Sequence, residues 1–149
     1  NLRLDIYGQG ELQDELELYA QKEGAQVTFK GIISNSELPA ILNQYHYFIL
    51  PSKYEGMPKA LLEAMACSLI CIGTNVKGIN EVIVDNVNGF LAKNITKEGI
   101  LDVIDRALNC SKKDFISQNA RLTIKKNFSL KSIQKKDILI LSNLVKTYE

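Results

Sequence analysis

The chain has 149 residues, of which 46% are hydrophobic and 23% charged, and its formal net charge is +1. This is the composition of an ordinary globular domain with enough apolar material for a core. A charge so close to zero gives no electrostatic reason to expect a nucleic-acid partner. We expect neither a transmembrane helix, since no apolar run approaches roughly 20 residues, nor a signal peptide.

Strand-like and helix-like patterns alternate along the chain. Strands are predicted at 2–7, 26–30, 46–50, 70–73 and 89–92. Helices are predicted at 11–23, 36–44, 58–67, 79–85, 97–109, 112–126 and 130–147. Such alternation indicates β-α-β units with right-handed crossovers and a mostly parallel sheet. The predicted class is therefore α/β, in one domain that covers residues 1–149.

Two helix starts carry capping signals. Ser34 or Ser36 is expected to cap the helix at 36–44, and Thr96 is expected to cap the helix at 97–109.

Glycine-containing loops follow the first two strands. Gly8 and Gly10 allow a tight turn beside a ligand, but Gln13 stands where a dinucleotide-binding motif has its third glycine. Gly31 and Ile32 follow the second strand, either as a simple turn or as backbone that reads a nucleobase edge. The spacing alone leaves both interpretations open for each loop.

The most informative stretch contains Glu55 and Glu63, eight positions apart. A strand precedes it, and Pro58 is expected at the first position of the helix that follows. Ligands of open α/β sheets bind at the carboxyl ends of the strands, where free N–H groups of helix N-termini bind phosphate. Because carboxylates accept hydrogen bonds from hydroxyls, the pattern suits a ligand with phosphate in the middle and hydroxyls at both ends, such as a nucleotide sugar.

The same charged residues also have structural interpretations. Glu55 is explained as a solvated loop residue, and Glu63 as half of a surface salt bridge. The apolar neighbours of Glu63 favour partial burial of its side chain, and a buried carboxylate needs hydrogen-bonding or ionic partners. Lys59 opposes the helix dipole at its position, a conflict that a bound phosphate would remove.

Cysteine and histidine give no sign of a metal site. Cys67, Cys71 and Cys110 form an odd set without C-x-x-C spacing, and we expect them to be reduced and buried. His46 is the only histidine, and it is interpreted as structural.

The last segment, from Leu130 to Tyr148, is amphipathic. Its apolar residues recur at roughly helical spacing, namely Ile133, Ile138, Leu141, Leu144, Val145 and Tyr148. Lysines lie between them, so the helix is expected to pack against this or another domain, or alternatively to lie on a membrane surface.

Six blocks of sequence carry a family likeness: 7–12, 29–31, 50–52, 55–66, 78–83 and 88–91. In this order they resemble the donor-binding, C-terminal half of retaining glycosyltransferases of family 4, which have the GT-B fold. The resemblance covers about residues 2–128 and implies a Rossmann-like parallel sheet flanked by helices. One departure is Ser68, which stands where the family usually has the glycine of a left-handed helix cap.

The resemblance also implies residue roles. Glu55 is similar to the glutamate that contacts the transferred sugar near the reaction centre, and Glu63 to the one that holds the ribose. The lining of the sugar and diphosphate corresponds to Gly56, Met57, Pro58, Lys59, Ala60 and Leu61. Gly8 and Gly10 correspond to the first donor loop, and Gly31 with Ile32 to the loop facing the base.

Further expectations follow from the family. The intact protein is expected to be a retaining hexosyltransferase that uses a UDP-, GDP- or ADP-sugar, with no cofactor or metal, on a glycan, lipid-linked saccharide or other cell-surface precursor. It is expected to be cytoplasmic, alternatively peripheral at the membrane. The chain would lack the first strand-helix unit, with its Arg and Lys, and the N-terminal acceptor domain, so it would be inactive alone. A sugar-nucleotide epimerase of similar fold and a non-catalytic binding module are the alternatives.

Overall fold

The computed structural model describes residues 2–147, which divide between Ile41 and Leu42 into two compact units. In chain order the elements are β1 (Leu4–Tyr7), α1 (Gln13–Lys22), β2 (Val27–Gly31), α2 (Leu38–Leu42), β3 (Tyr47–Leu50), α3 (Lys59–Ala66), β4 (Ile70–Thr74), β5 (Phe90–Ala92), α4 (Lys97–Asn109), α5 (Lys113–Asn127) and α6 (Leu130–Thr147). All pairing between these strands is parallel, in one sheet of two strands and one of three. The predicted α/β class with parallel sheets flanked by helices is confirmed. A single domain covering residues 1–149 stays a prediction.

The first unit is one β-α-β motif. β1 pairs with β2 from Leu4↔Val27 to Tyr7↔Gly31, with an irregularity in register after Ile6. α1 ends at Lys22, and Gly24, just beyond its C-cap residue Glu23, has φ of 64°, the left-handed conformation that lets a helix terminate.

The second unit is built around β4. Its five residues are all buried, because β4 lies between β3 and β5 in the sheet. Seven buried residues form the main core cluster: Ile70, Ile72, Phe90, Ala92, Val103, Ala107 and Ile116. They come from β4, β5, α4 and α5, so strands and flanking helices bury their apolar faces against each other.

The helix predicted at 79–85 is wrong. The chain there forms separate turns, closed by hydrogen bonds from Asn80 N to Val76 O and from Ile83 N to Ile79 O. The buried Asn88 side chain binds the O of Val82 at 3.1 Å and the N–H of Val84 at 2.7 Å. These groups are therefore unavailable to a helix. The run of β-branched residues in this segment also has a low helix propensity.

The other helices form where predicted, with ends shifted by one or two residues. Thr96 caps α4 as expected, since its Oγ1 accepts from Gly99 N at 3.3 Å. At α2, Ser34 donates from its N–H and its hydroxyl to the Glu37 carboxylate. These bonds lower the pKa of Glu37.

Ser68 takes the helix-capping conformation of the glycine it replaces. Its φ is 62°, its N–H donates to Met65 O at 3.0 Å, and Leu69 N donates to Ala64 O at 3.1 Å. This is the Schellman pattern of hydrogen bonds, and it terminates α3. The cap therefore survives, at the cost of left-handed backbone in a residue with a Cβ.

α6 leaves its apolar residues exposed to solvent. Ile138, Leu139 and Leu141 are each at least 60% exposed. The predicted apolar positions Leu144, Val145 and Tyr148 lie outside the described side chains. The described part of α6 therefore presents an apolar surface, and the packing of this helix against this or another domain, or its location on a membrane surface, stays a prediction.

Candidate functional site

In the first unit, the structure brings the two predicted glycine loops together. Gly8 and Gly31 follow β1 and β2, and Gly8 N–H donates to Gly31 O at 2.8 Å. Both have positive φ, 129° and 69°, which a side chain at either position would strain. Gly10 and Ile32 are exposed beside them, so four predicted donor-binding residues lie at the carboxyl ends of two parallel strands.

In the second unit, Glu55 lies on the loop that connects β3 to α3. The strand ends at Leu50 because Pro51 has no N–H for the ladder. Glu55 is half-buried, and its Oε2 accepts from the Ser52 hydroxyl at 3.3 Å. The loop is exposed on either side of Glu55, at Tyr54 and Met57. A carboxylate held this way is available to hydroxyls of a ligand.

Pro58 lies one position earlier than predicted: it is the N-cap residue of α3. Its φ and ψ are −78° and 77°, and Lys59 N–H donates to Met57 O at 2.9 Å, which makes an inverse γ-turn. Because that turn holds ψ of Pro58 outside the helical region, the helix begins at Lys59. The Pro58 carbonyl still accepts the first helical bond, from Leu62 N at 3.1 Å.

The start of α3 therefore presents backbone donors. Pro58 has no side-chain acceptor, and no acceptor within the described residues takes the N–H of Ala60 or Leu61; of these two residues, Ala60 is exposed and Leu61 is buried. An exposed N–H group at a helix N-terminus, such as that of Ala60, binds anionic oxygens. Lys59 is exposed at the same place, as are Lys53 and Lys77 on the neighbouring loops, and none of the three forms an ion pair in the described part of the chain.

Glu63 lies on the second turn of α3 and is half-buried, which confirms the predicted partial burial. Across residues 2–147 its carboxylate has no ion pair and no hydrogen bond from a side chain, so the salt-bridge interpretation is not supported. Burial raises the pKa of the nearby Cys67 thiol, the Glu63 charge adds to that effect, and Arg121 opposes it. A half-buried carboxylate without a protein partner is suited to ligand hydroxyls.

Residues of β4 and the loop after it complete this site, and the sequence did not identify them. Thr74 is buried, and its hydroxyl donates to the Ser52 carbonyl. Gly78 has φ of 85°, and a Cβ on it would lie 2.5 Å from Gly56 O and 2.7 Å from Glu55 O. The sequence signal for Gly78 was its position between a strand and a predicted helix; Thr74 gave none.

The described residues contain no group of three or more His, Cys, Asp or Glu side chains that could hold a metal. The three cysteines are free thiols; Cys71 is buried as expected, but the burial predicted for Cys67 and Cys110 is wrong, because both are only half-buried. Among residues 2–147, none of the helices has both the length and the apolar character to cross a membrane.

Known proteins provide an independent comparison. The sequence profile of the family described as glycosyl transferases group 1 matches residues 1–123. The UDP-Gal:alpha-D-GlcNAc-diphosphoundecaprenol alpha-1,3-galactosyltransferase of Escherichia coli is 30% identical over 138 residues, which are 91% of this chain and 36% of that protein. The poly(ribitol-phosphate) alpha-N-acetylglucosaminyltransferase of Staphylococcus aureus is 26% identical, over 91% of this chain and 28% of its own length.

Solved structures agree with the fold. Anabaena HepE, crystallised with UDP and glucose, superposes with a TM-score of 0.81 at 21% identity over 95% of this chain and 40% of its own. A mutant of S. aureus TarM in complex with UDP gives a TM-score of 0.80 at 25% identity, over 92% of this chain and 28% of its own. The chain thus spans about a third of the length of its first curated relatives: 36%, 30% and 36%.

Proposed function

This chain belongs to the group 1 glycosyl transferases, and from that membership we propose that it binds the nucleotide-sugar donor of an enzyme that transfers the sugar with retention. The observation that carries the proposal is the arrangement in the second unit. Glu55 on its loop, the free N–H group of the exposed Ala60, and Glu63, which has no partner among the described side chains, follow one another along the chain. In this order they are proposed to bind the sugar, the diphosphate and the ribose of the donor.

Each group has a chemical role in this proposal. The bond from the sugar to the diphosphate breaks, and negative charge develops on the leaving nucleoside diphosphate. The N–H group of Ala60 and the cation of Lys59 stabilise that charge, as fixed dipoles and charges do for other leaving groups. Glu55 orients the sugar ring through its hydroxyls and is not proposed as a covalent nucleophile. Glu63 holds the ribose hydroxyls.

In the first unit, Gly8, Gly10, Gly31 and Ile32 are proposed to contact the donor as well. The positive φ of Gly8 and Gly31 and their mutual hydrogen bond leave a backbone surface without side chains, which a nucleotide can approach closely. The titration below decides which nucleotide is bound: UDP, GDP or ADP. HepE and TarM were crystallised with UDP, and on that basis we place UDP first.

The whole protein's reaction is also part of the proposal. We infer an acceptor among glycans, lipid-linked saccharides and other cell-surface precursors, because relatives include enzymes named for diphosphoundecaprenol-linked sugar and poly(ribitol-phosphate) acceptors. An acceptor domain, a cytoplasmic location and peripheral membrane association belong to the same inference. The present chain alone is proposed to be inactive, because one wall of a cleft neither excludes water nor places an acceptor.

An NMR titration of this chain with UDP, GDP, ADP and their sugars tests donor binding. Shifts at Gly31, Gly56 to Leu61 and Glu63 are expected with one of the nucleotides, and Glu63→Gln is expected to weaken that binding. Absence of shifts at millimolar nucleotide, in this chain and in a chain lengthened by the preceding strand-helix unit, would refute the proposal.

Catalysis is tested in the full-length protein. Glu55→Gln is expected to lower transfer strongly, to a residual rate that is still measurable, while UDP still binds, since Glu55 is proposed to contact the sugar rather than the nucleotide. Analysis of the products separates sugar transfer from epimerisation of the donor. A Glu55→Gln protein with unchanged transfer would disprove the role of Glu55.

A further inference from the structure

The loop that carries Glu55 is fixed at its beginning by a side chain of the neighbouring strand. β3 pairs with β4 up to Leu50↔Gly73, and Pro51 ends the ladder there. β4 continues for one more residue, Thr74, which pairs on its other side with Ala92 of β5. Thr74 is 1% exposed, and its hydroxyl donates to the Ser52 carbonyl. A side-chain hydrogen bond thus takes over where the backbone ladder stops.

Ser52 connects Thr74 to the carboxylate of Glu55. Its carbonyl is held by Thr74, and its hydroxyl donates to Glu55 Oε2 at 3.3 Å. Within residues 2–147, Ser52 is the only hydrogen-bonding or ionic partner of the Glu55 side chain. The direction of the carboxylate therefore depends on where the Ser52 backbone lies.

The end of the same loop is fixed by the segment that follows β4. The carbonyls of Glu55 and Gly56 pack against the Cα of Gly78 so closely that a Cβ would lie 2.7 Å and 2.5 Å from their oxygens. Because Thr74 and Gly78 both belong to β4 and its following loop, one continuous segment contacts the Glu55 loop on both sides of Glu55, at Ser52 and at Gly56.

We infer that Thr74 is a positioning residue for Glu55: through Ser52 it sets the direction in which the carboxylate meets the donor sugar. The inference rests on the proposed role of Glu55. Thr74 itself is buried, out of reach of a ligand, so its effect on the donor passes through the loop. Displacement of a catalytic group by about 1 Å costs up to roughly 10²-fold in rate, which makes a loss of one hydroxyl measurable.

The experiment compares Thr74→Val and Thr74→Ser in the full-length protein. Valine keeps the shape and removes the hydroxyl; serine keeps the hydroxyl. We expect Thr74→Val to lower kcat about tenfold with the KM for the donor changed less than about twofold, and Thr74→Ser to retain most of kcat. Thr123→Val is the matched control, because Thr123 is a half-buried threonine of α5 whose hydroxyl also donates to a backbone carbonyl, at 2.8 Å. It is expected to reduce stability without lowering kcat.

A double-mutant cycle with Glu55→Gln shows whether Thr74 acts through Glu55. In the Glu55→Gln background, Thr74→Val is expected to change residual kcat less than about twofold, because the group it positions is already gone. An equal loss of kcat in both backgrounds, or equal effects of Thr74→Val and Thr123→Val, would overturn the inference and leave the proposed function standing. Full activity of Glu55→Gln alone would overturn both.

Discussion

Replacing Gly78 by alanine tests whether close packing behind the Glu55 loop is as tight as the structure shows. The new Cβ would lie 2.5 Å from Gly56 O and 2.7 Å from Glu55 O, both backbone atoms. Ordinary contact begins near 3.4 Å, so the loop would have to move by 3.4 − 2.5, about 0.9 Å. Backbone does not rotate away as the end of a side chain does, and the whole loop is expected to shift.

Two effects contribute to the loss of stability. At φ of 85°, alanine pays about 1–2 kcal/mol relative to glycine for left-handed backbone. Overpacking adds about 1–3 kcal/mol. The lower entropy of alanine in the unfolded chain returns about 0.4–1 kcal/mol. The net expected loss is about 1–4.6 kcal/mol, a large share of the roughly 5–15 kcal/mol that holds a domain folded.

Urea unfolding measures this loss directly. With a slope of about 2 kcal/mol per molar urea, the midpoint should fall by about 0.5–2 M. Gly24→Ala is the matched control, since Gly24 has φ of 64° but nothing within 4 Å of its Cβ position; Gly56→Ala adds an open site without positive φ in the same unit. If Gly78→Ala costs no more than Gly24→Ala, the contact with the Glu55 loop is not tight and the reasoning fails.

Four further outcomes are expected. Ser68→Gly should raise the free energy of unfolding, measured with urea, by about 1 kcal/mol, because glycine adopts the φ of 62° of this helix cap without strain. An unchanged midpoint of urea unfolding would contradict backbone strain at Ser68. Asn88→Ala should lower it by about 2–3 kcal/mol, because a buried amide with bonds to Val82 O and Val84 N is lost. Glu63→Gln should weaken nucleotide binding about tenfold, as measured by titration calorimetry, and should leave the free energy of unfolding unchanged. An affinity equal to that of the unsubstituted protein would exclude a contact between Glu63 and the ribose. Burial raises the pKa of Cys71 well above its usual range and that of Cys67 to a lesser extent, so at pH 8 iodoacetamide should leave Cys71 unmodified in folded protein but not in urea.

Local sequence patterns predicted most of the strands and helices, and the predictions that failed did so for physical reasons. The helix predicted at 79–85 has apolar residues at suitable spacing, but Asn88 takes the backbone groups that a helix would need. Pro58 has a helix-starting sequence, but the γ-turn to Met57 moves it to the N-cap. In both cases a hydrogen bond that periodicity does not encode determined the result.

The sequence also placed Glu55 and Glu63 correctly on a loop and on a helix, because a short apolar strand, a proline and a run of helix formers determine those elements locally. It could not show which residues hold Glu55. Thr74 binds a carbonyl 22 positions away, and Gly78 packs against the same loop from the far side of β4. Periodicity and capping report on neighbours within a few residues, whereas these contacts exist only after β3 and β4 have paired in parallel. The sequence by itself therefore determined on which elements the candidate groups Glu55 and Glu63 lie, and the tertiary structure decided which contacts orient the Glu55 carboxylate.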